Sequence, residues 1–329
     1  MKTVKFDARW IGEHGIGRFA RELAARVPGL TCWHDGPHPA NPLDVLYLSL
    51  RLLTAPRAVW CSPGFNAPLW LRHRYVLTIH DLNHIDFPEN SSLAKRLYYR
   101  FIMRPACRRA AAVLTVSEYS RQKIIAWSGV APDRVVNVGN GVSPAYAPAG
   151  PVYAPGHPYL LCISNRRPHK NEERLLHAFA RAELPSAVQL LFSGTPTPAL
   201  STLVATLGIT TRVRFLGRIA EADLPALYRG AQALVFPSLH EGFGLPVVEA
   251  MACGTPVITS SVTSLPEVAG DAALLVDPLR ADEIAAAMGQ LLADHDLSAR
   301  LREKGLRRAQ QFSWDAVARR VAAVLAKLA

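Results

Sequence analysis

The amino-acid sequence predicts an α/β protein built from two doubly wound, parallel-sheet domains. Its 329 residues exceed one typical domain. Half of them are hydrophobic, which is enough for two large cores. Short apolar runs alternate with helical patterns along the chain, and this alternation indicates parallel sheets because parallel strands need crossover connections. Two such domains are expected to face a central cleft, which is the expected ligand site.

The first domain is predicted over residues 1–147. Its pattern is the less regular one, with strands expected at VLYLSL, AVWCS, YVLTIHD and AVLTVS, and helices at 17–27, 91–109 and 117–128. Residues 148–158 lie in the stretch SPAYAPAGPVYAPGHP, whose Pro and Gly content is typical of an interdomain linker.

The second domain is predicted over residues 159–311, where alternation is cleaner. The expected strands are HPYLLCIS, AVQLLFSG, RVRFLG, ALVFPS and TPVITS; the expected helices are KNEERLLHAFARAEL, PALSTLVATLG, EADLPALYRGA and LPVVEAMACG. Residues 312–329 form an amphipathic pattern with Ser313 as its N-cap. We expect this last helix to cross back to the first domain.

Composition limits the classes of partner and the compartment. The formal charge of +11 is concentrated in residues 1–150, which carry +9, so we expect an anionic partner: nucleic acid, a phospholipid surface or a phosphorylated substrate. The sequence has neither a signal-peptide pattern nor an apolar run long enough to span a bilayer. Five scattered cysteines, never spaced as CxxC, favour the reducing cytosol without disulfides or a zinc site.

The stretch LHEGFGLPVVEAMACG places Glu241 before a glycine turn and Glu249 two helical turns later. Gly242 and Gly244 allow close approach of the backbone to a ligand, and free N–H groups near Leu245 suit a phosphate. Taken alone, the stretch is better explained as a tight turn with a capping glutamate, Glu241.

Two further loops carry weaker signals for anion binding. SNRRPHKN places Arg166, Arg167, His169 and Lys170 before a helix, where Lys170 can reach a diphosphate, although a solvated basic loop has the same composition. GEHGIGR opens a helix with Gly15 and Gly17, but it lacks the third glycine of a dinucleotide fingerprint.

His80 and Asp81 follow a predicted strand, which places them at its carboxyl end. With His84 and Asp86 they could form a metal site, but no Cys or helical HxxxH pattern supports one. We interpret His80 as a substrate-binding or proton-handling residue. A structural histidine remains the alternative.

The stretch SSLAKRLYYRFIMRPACRR predicts a helix with an apolar stripe of Leu93, Leu97 and Phe101. A neighbouring stripe consists of arginines: Arg96, Arg100, Arg104 and Arg108. Such a face can lie on anionic lipid or meet a phosphorylated acceptor. A solvated surface helix fits the pattern equally well.

In combination, these stretches resemble the retaining glycosyltransferases of family four, which have the GT-B architecture. LHEGFGLPVVEAMACGTPVI is similar to their E-x7-E signature. GIGRFARELAARV, TIHDLNHIDFPE, VSEYSRQKI, VGNGVSPAY, SNRRPHKN, FLGRIAEADLPALYRGA and SLPEVAGDAALLVDP follow in the family's order. The resemblance covers nearly the whole chain and is more specific for family and fold than for substrate.

The resemblance implies transfer of a sugar from a nucleotide donor to an acceptor hydroxyl with retention at the anomeric carbon. On that pattern Glu249 binds the ribose, Glu241 contacts the donor sugar and Lys170 stabilises the diphosphate. His80 meets the sugar or its transferring proton. The remaining expected donor contacts are Gly242, Phe243, Gly244 and Leu245, Arg218 and Ile219 beside the base, and Gly15 and Gly17 from the first domain.

The chain departs from the family pattern in its basic loop. His169 stands where many relatives have an arginine before the lysine, and Asn165 stands where a subset has an arginine. Either Arg166 or Arg167 is then expected to contact the diphosphate. The implied enzyme needs no metal or other cofactor, because lysine and arginine supply the positive charge.

The leading hypothesis is therefore a cytoplasmic hexosyltransferase, peripheral on the inner face of the plasma membrane. It would serve surface polysaccharide or lipopolysaccharide synthesis, with a preference for mannose from GDP-mannose and a saccharide or polyprenyl-diphosphate-linked acceptor. One alternative is a GT-B nucleotide-sugar epimerase, which would need different acid and base residues. A basic nucleic-acid-binding protein is the other, although no nucleic-acid-binding module is recognisable.

Overall fold

The computed structural model describes residues 3–70, 73–87, 89 and 91–328. The chain divides into two units. Unit 1 comprises Met1–Gly141 and Ser313–Ala329, and unit 2 comprises Val142–Phe312. The predicted linker residues 148–158 belong to unit 2, where the N–H of Tyr153 donates to Ala226 O at 3.0 Å.

The described part of unit 1 contains a six-stranded parallel sheet with the order β2-β1-β3-β4-β5-β6. Its strands are β1 Val4–Asp7, β2 Leu30–Trp33, β3 Val59–Cys61, β4 Arg74–Thr78, β5 Ala112–Thr115 and β6 Val135–Asn137. Its helices are α1 Gly15–Arg26, α2 Asp44–Thr54, α3 Asn83–Asp86, α4 Leu93–Tyr98, α5 Arg104–Arg109, α6 Glu118–Ser128 and α14 Trp314–Leu328. A π-helical segment, Tyr99–Met103, joins α4 to α5.

Unit 2 contains a second six-stranded parallel sheet, with the order β12-β11-β10-β7-β8-β9. Its strands are β7 Tyr159–Cys162, β8 Gln189–Phe192, β9 Val213–Phe215, β10 Ala233–Phe236, β11 Val257–Ser260 and β12 Leu274–Val276. Its helices are α7 Glu172–Arg181, α8 Pro198–Thr206, α9 Leu224–Gly230, α10 Leu245–Ala252, α11 Leu265–Ala269, α12 Ala281–Ala293 and α13 His295–Ala309.

Each unit has its own hydrophobic core between sheet and helices. In unit 2, Leu175 and Phe179 of α7 pack with Leu190 of β8 and Val235 of β10, all fully buried. The central strands read as continuous apolar runs because both of their faces are covered. These two parallel-sheet, Rossmann-like units confirm the predicted α/β fold class.

The prediction of a strand at VLYLSL is wrong, because these residues lie in helix α2. Asp44, Leu48 and Leu52 are buried at a spacing of four, which is helical periodicity. A short apolar run does not distinguish a strand from a buried helix. Here Leu46 and Leu50 are exposed although they are apolar, which hides the helical period in the sequence.

Helix α14 belongs to unit 1 and packs beside α1. The guanidinium Nε of Arg26 donates to Asp315 Oδ1 at 3.0 Å, and the ring of Trp314 makes an edge contact with Phe19. Ser313 Oγ accepts a hydrogen bond from the N–H of Asp315 at 3.2 Å, as expected for an N-cap. Helix α14 therefore covers part of the core of unit 1.

Candidate active site

In unit 2 the candidate site lies at the carboxyl ends of β7 and β10. The chain runs outward from β7 to one edge of the sheet and returns to build the other half from β10, so the strand order reverses between these two neighbours. Ligands of doubly wound sheets bind at such a reversal. The loops that leave β7 and β10 are the two predicted ones, residues 163–171 and 237–244.

Backbone and amide hydrogen bonds join these two loops. The N–H of Leu239 donates to His169 O at 2.7 Å, and Asn171 Nδ2 donates to Pro237 O at 3.0 Å. Asn171 has a left-handed backbone (φ 60°), which asparagine tolerates better than most residues. The short turn Pro168–Lys170 is therefore held directly against the start of the glycine loop.

Lys170 and Glu241 form the centre of the site. Lys170 Nζ lies 2.5 Å from Glu241 Oε1, and the side chains are only 12% and 13% exposed. The ammonium also lies 4.8 Å from the ring centroid of Phe236. A positive charge for phosphate and an acceptor for hydroxyl groups are thus adjacent and largely shielded from water.

The glycine loop has a conformation that requires glycine at position 244. Gly244 has φ 99°, and a Cβ there would lie 2.6 Å from Leu265 Cδ2. Helix α10 begins at the next residue, Leu245, and the first N–H groups of a helix have no acceptor within the helix. Gly242 and Phe243 lie in the same loop, and Leu245 is the first residue of α10.

Two residues that sequence reasoning missed, Thr263 and Ser264, fix this loop. Ser264 Oγ donates to Glu241 O at 2.9 Å, and Thr263 Oγ1 accepts from the N–H of Glu241 at 3.3 Å. Both follow β11, and the only sequence signal near them is the resembling stretch SLPEVAG, which begins at Ser264. The backbone of Glu241 is therefore also held by the loop that follows a third strand, β11.

Glu249 is buried in α10, and Tyr228 holds its carboxylate. The Tyr228 hydroxyl donates to Glu249 Oε2 at 2.9 Å, and both residues are less than 5% exposed. Burial, together with the charge of Glu249, raises the pKa of Tyr228 well above its ordinary value, so the phenol stays a donor. Thr255 Oγ1 in turn donates to Tyr228 O at 2.6 Å. Tyr228 was also missed from the sequence.

Arg166 and Arg167 differ in their surroundings. Arg166 Nε donates to Thr195 O at 2.8 Å; its guanidinium also binds Ser193 O and pairs with Glu172. Burial lowers the pKa of Arg166. Arg167 is exposed, as is Asn165, whose Oδ1 accepts from the N–H of Arg167 at 3.4 Å.

Arg218 and Ile219 follow β9, on the same side of the reversal as β8. Arg218 is exposed and Ile219 is half-buried. The preceding Gly217 exchanges backbone hydrogen bonds with Gly194, of which the shorter is 2.7 Å. These residues thus lie beside the loop that Arg166 holds.

In unit 1 the structure separates the roles of Gly15 and Gly17. A Cβ on Gly17 would lie 2.4 Å from Gly12 O, so glycine there is required by backbone packing. A Cβ on Gly15 would meet nothing within 4 Å. His14 Nδ1 accepts from the N–H of Gly17 at 2.9 Å and so caps α1.

His80 lies just beyond the end of β4, as predicted. Its Nε2 lies 2.9 Å from Pro63 O, and its ring contacts the ring of Phe19 edge-on at 4.9 Å. Burial lowers the pKa of His80, so the neutral imidazole prevails near pH 7. In the described residues no group of three or more His, Cys, Asp or Glu side chains is arranged to hold a metal ion.

A buried ionic cluster at the strand reversal of unit 1 was also missed. Arg9 donates to Asp7 Oδ2 at 2.7 Å and to Asp44 Oδ1 at 2.5 Å, and Asn66 Nδ2 donates to both carboxylates at 3.0 Å. Burial alone would lower the pKa of Arg9, but the two carboxylates raise it above its ordinary value. The cluster ties the loops after β1 and β3 to the start of α2.

The four predicted surface arginines, Arg96, Arg100, Arg104 and Arg108, are all exposed. The π-helical segment between α4 and α5 changes the residues per turn, so they do not form one straight stripe. Arg108 Nε binds Ser128 O at the end of α6, which fixes this arginine. Among the described residues, no helix is both long and apolar enough to cross a bilayer.

Comparison with known proteins extends across both units. Residues 152–308 match the family model of glycosyl transferases group 1, and residues 18–141 match that of a glycosyl transferase 4-like domain. The O-antigen chain mannosyltransferase B of Escherichia coli is 34% identical over 92% of this chain and 93% of its own length. The MMP alpha-(1->4)-mannosyltransferase of Mycolicibacterium hassiacum is 36% identical over 70% of this chain and 58% of its own.

Solved structures show the same fold. HepE of Anabaena in complex with UDP and glucose has a TM-score of 0.80 at 19% identity, with full coverage of both chains. Sucrose-phosphate synthase of Thermosynechococcus elongatus has a TM-score of 0.79 at 21% identity, over 100% and 99% of the two chains. The chain belongs to the group 1, family 4-like glycosyltransferases of GT-B fold and is a glycosyltransferase.

Proposed function

We propose that the protein transfers a hexose, preferentially mannose from GDP-mannose, to a saccharide or lipid-linked saccharide acceptor with retention at the anomeric carbon. Surface polysaccharide synthesis is the proposed setting. Two mannosyltransferase relatives support the sugar, one of them an O-antigen enzyme similar over nearly its whole length. The observation that carries the proposal is the shielded Lys170–Glu241 pair at the strand reversal of unit 2.

The proposed donor site follows from the chemistry of each side chain. The diphosphate lies over the start of α10, where Lys170 and backbone N–H groups compensate its charge. Glu249 accepts hydrogen bonds from the ribose hydroxyls. When the donor binds, Glu241 gives up its ion pair with Lys170 and accepts a hydrogen bond from a hydroxyl of the sugar. Because Arg166 is held by Ser193, Thr195 and Glu172, we assign Arg167 to the diphosphate.

The proposed transition state develops negative charge on the leaving diphosphate. Lys170 stabilises that charge without a metal ion, and preorganised charge of this kind is usually the largest catalytic contribution. Neutral His80 is suited to contact the sugar or accept the acceptor proton. Arg218 and Ile219 flank the base, and Gly15, where a Cβ would meet nothing within 4 Å, offers its backbone N–H.

A thermal-shift screen with GDP-, UDP- and dTDP-sugars tests the donor assignment. A ligand bound only by the native state at 100 times its Kd stabilises it by about 2.7 kcal/mol, which raises Tm measurably. We expect GDP-mannose to give the largest shift and Glu249→Ala to abolish it. No shift with any donor, or an unchanged shift in Glu249→Ala, would contradict the proposed site.

Product analysis separates transfer from the alternatives. Retention predicts an α-linked product from an α-linked donor, and EDTA should leave the rate unchanged if no metal is needed. Conversion of the donor sugar to its epimer without acceptor would instead identify an epimerase. Salt-sensitive RNA or DNA retention without donor binding would favour a nucleic-acid-binding protein.

A further inference from the structure

The exposed apolar side chains of the protein are concentrated on part of unit 1. Thirteen large hydrophobic side chains are exposed among the described residues, and eight of them belong to two helical segments and one loop. Clustering of this kind marks an interaction surface, whereas single exposed residues carry no such meaning. The eight are Leu43, Leu46, Leu50, Leu53, Trp70, Leu93, Leu97 and Phe101; we call them the apolar face.

Helix α2 contributes half of the apolar face. Leu43, Leu46, Leu50 and Leu53 recur at intervals of three and four residues, so they form one stripe along the helix. Leu46 is 50% exposed and Leu50 is 54% exposed, whereas Leu48 is fully buried on the opposite side. Burial in the core explains why the inner side of α2 is apolar, but it does not explain why the outward side is apolar as well.

The parts of the apolar face lie in one layer. Leu48 of α2 and Met103 beside α5 belong to the same hydrophobic core, so both helices cover the same side of the sheet. The loop after β3 connects them: the N–H of Leu69 donates to Ser49 Oγ at 2.8 Å, and the Tyr98 hydroxyl donates to Phe65 O at 2.9 Å. Trp70, 53% exposed, follows in that loop.

The exposed charges that the two helical segments of the apolar face themselves carry are positive. Its two helical segments carry these exposed cations, or are followed by them: Arg51, Arg57, Lys95, Arg96, Arg100 and Arg104. The one carboxylate within residues 44–57 and 93–109 is Asp44, which is 1% exposed and paired with Arg9. A second copy placed on this face would bring arginine against arginine, because a two-fold interface pairs a surface with itself.

We propose that the apolar face lies on an anionic lipid bilayer, with its leucines and Trp70 among the acyl chains and its arginines at the head groups. Segments that lie in a membrane interface typically combine leucine and tryptophan with arginine. This proposal rests on the proposed function and extends it. A lipid-linked acceptor is presented at a membrane surface, so binding to that surface would bring the enzyme to its acceptor. The proposal adds α2 and Trp70 to the arginine helix considered from the sequence.

Vesicle co-sedimentation tests the proposal with the full chain. Wild type should bind vesicles of phosphatidylcholine with 30% phosphatidylglycerol, bind pure phosphatidylcholine much more weakly, and dissociate in high salt. Leu46→Ser with Leu50→Ser should lower the partition coefficient about tenfold or more. Leu275→Ser with Leu279→Ser is the matched control, because these leucines of unit 2 are 41% and 63% exposed, and it should bind like wild type.

Three outcomes would overturn the proposal: no binding of wild type to anionic vesicles, full binding by the α2 variant, or equal loss in the control. A wild-type dimer in light scattering that the α2 variant disrupts would assign the face to a second copy instead. The GDP-mannose thermal shift is measured on the same variants. Because it does not depend on lipid, failure of vesicle binding with an intact shift leaves the proposed transfer standing.

Discussion

At the residue scale, Tyr228 shows how the site depends on a side chain that touches no substrate in the proposed mechanism. Its hydroxyl donates to Glu249, and a hydrogen bond to a charged acceptor contributes about 1.5–3 kcal/mol. Without this donor the buried carboxylate loses one hydrogen bond that orients and stabilises it. Tyr228 is therefore a positioning residue for the ribose contact.

Tyr228→Phe should raise the donor KM about tenfold with little change in kcat, since a ribose contact is made equally in the ground and transition states. Tyr159→Phe is the matched control: its buried hydroxyl donates to Leu227 O at 2.7 Å, away from Glu249. The control should lower Tm and leave KM unchanged. Additive effects of Tyr228→Phe and Glu249→Gln on donor affinity would show that Tyr228 does not act through Glu249.

His80 supplies a pH dependence whose sign follows from its surroundings. Burial lowers its folded-state pKa below the ordinary value of 6.5, so the unfolded chain binds the proton more tightly. Its contribution to stability is complete above pH 6.5 and is lost as the pH falls through the lower, folded pKa. His14 and Asp81 influence the same group, the first lowering and the second raising its pKa.

His80→Asn should consequently weaken the decrease in Tm between pH 7.5 and pH 5. Calorimetry of wild type and variant over this range measures the difference. His73→Asn is a suitable control, because His73 is also partly buried in unit 1, with Nε2 2.7 Å from Leu52 O. An identical acid slope for wild type and His80→Asn would contradict the assignment.

At the element scale, apolar periodicity explains why the strands and helices of unit 2 could be predicted better than those of unit 1. In unit 2 the strands and helices follow their apolar periods, and the predicted residues Lys170 and Glu241 meet. In unit 1 the run VLYLSL was predicted as a strand because its outward leucines obscure the 3.6-residue period of the helix that it forms. The cluster of Arg9, Asp44 and Asn66 was invisible, since its members are far apart in the sequence and meet only through the sheet.

The glycine loop before α10 allows a prediction about that element. Gly244→Ala should destabilise the protein by about 2–4 kcal/mol, because a positive φ and contact with Leu265 both oppose a Cβ. Gly208→Ala, at φ 69° after α8 but in open space, should cost only about 1 kcal/mol. Urea unfolding measures both values. Equal costs would mean that packing against Leu265 contributes nothing.

At the scale of the whole molecule, the order of elements makes unit 1 discontinuous in the chain. Unit 2 is one continuous segment, whereas unit 1 requires Ser313–Ala329. Helix α14 buries Trp314, Val317, Val321 and Leu325, each less than 5% exposed. Helix α14 is therefore part of the core of unit 1, although 171 residues of unit 2, Val142–Phe312, separate it from the rest of that unit in the sequence.

Ending the chain at Phe312 should unfold unit 1 and leave unit 2 folded. Burial of the four large side chains of α14 contributes about 1.5–3 kcal/mol each, which is comparable to the whole stability of a typical domain. Hydrogen exchange should show lost protection in β1 and α1 and retained protection in β7 and β10. Arg319→Ala with Lys327→Ala, two exposed positions on α14, should keep protection in both units. Native protection of β1 in the shortened chain would show that unit 1 closes its core without α14.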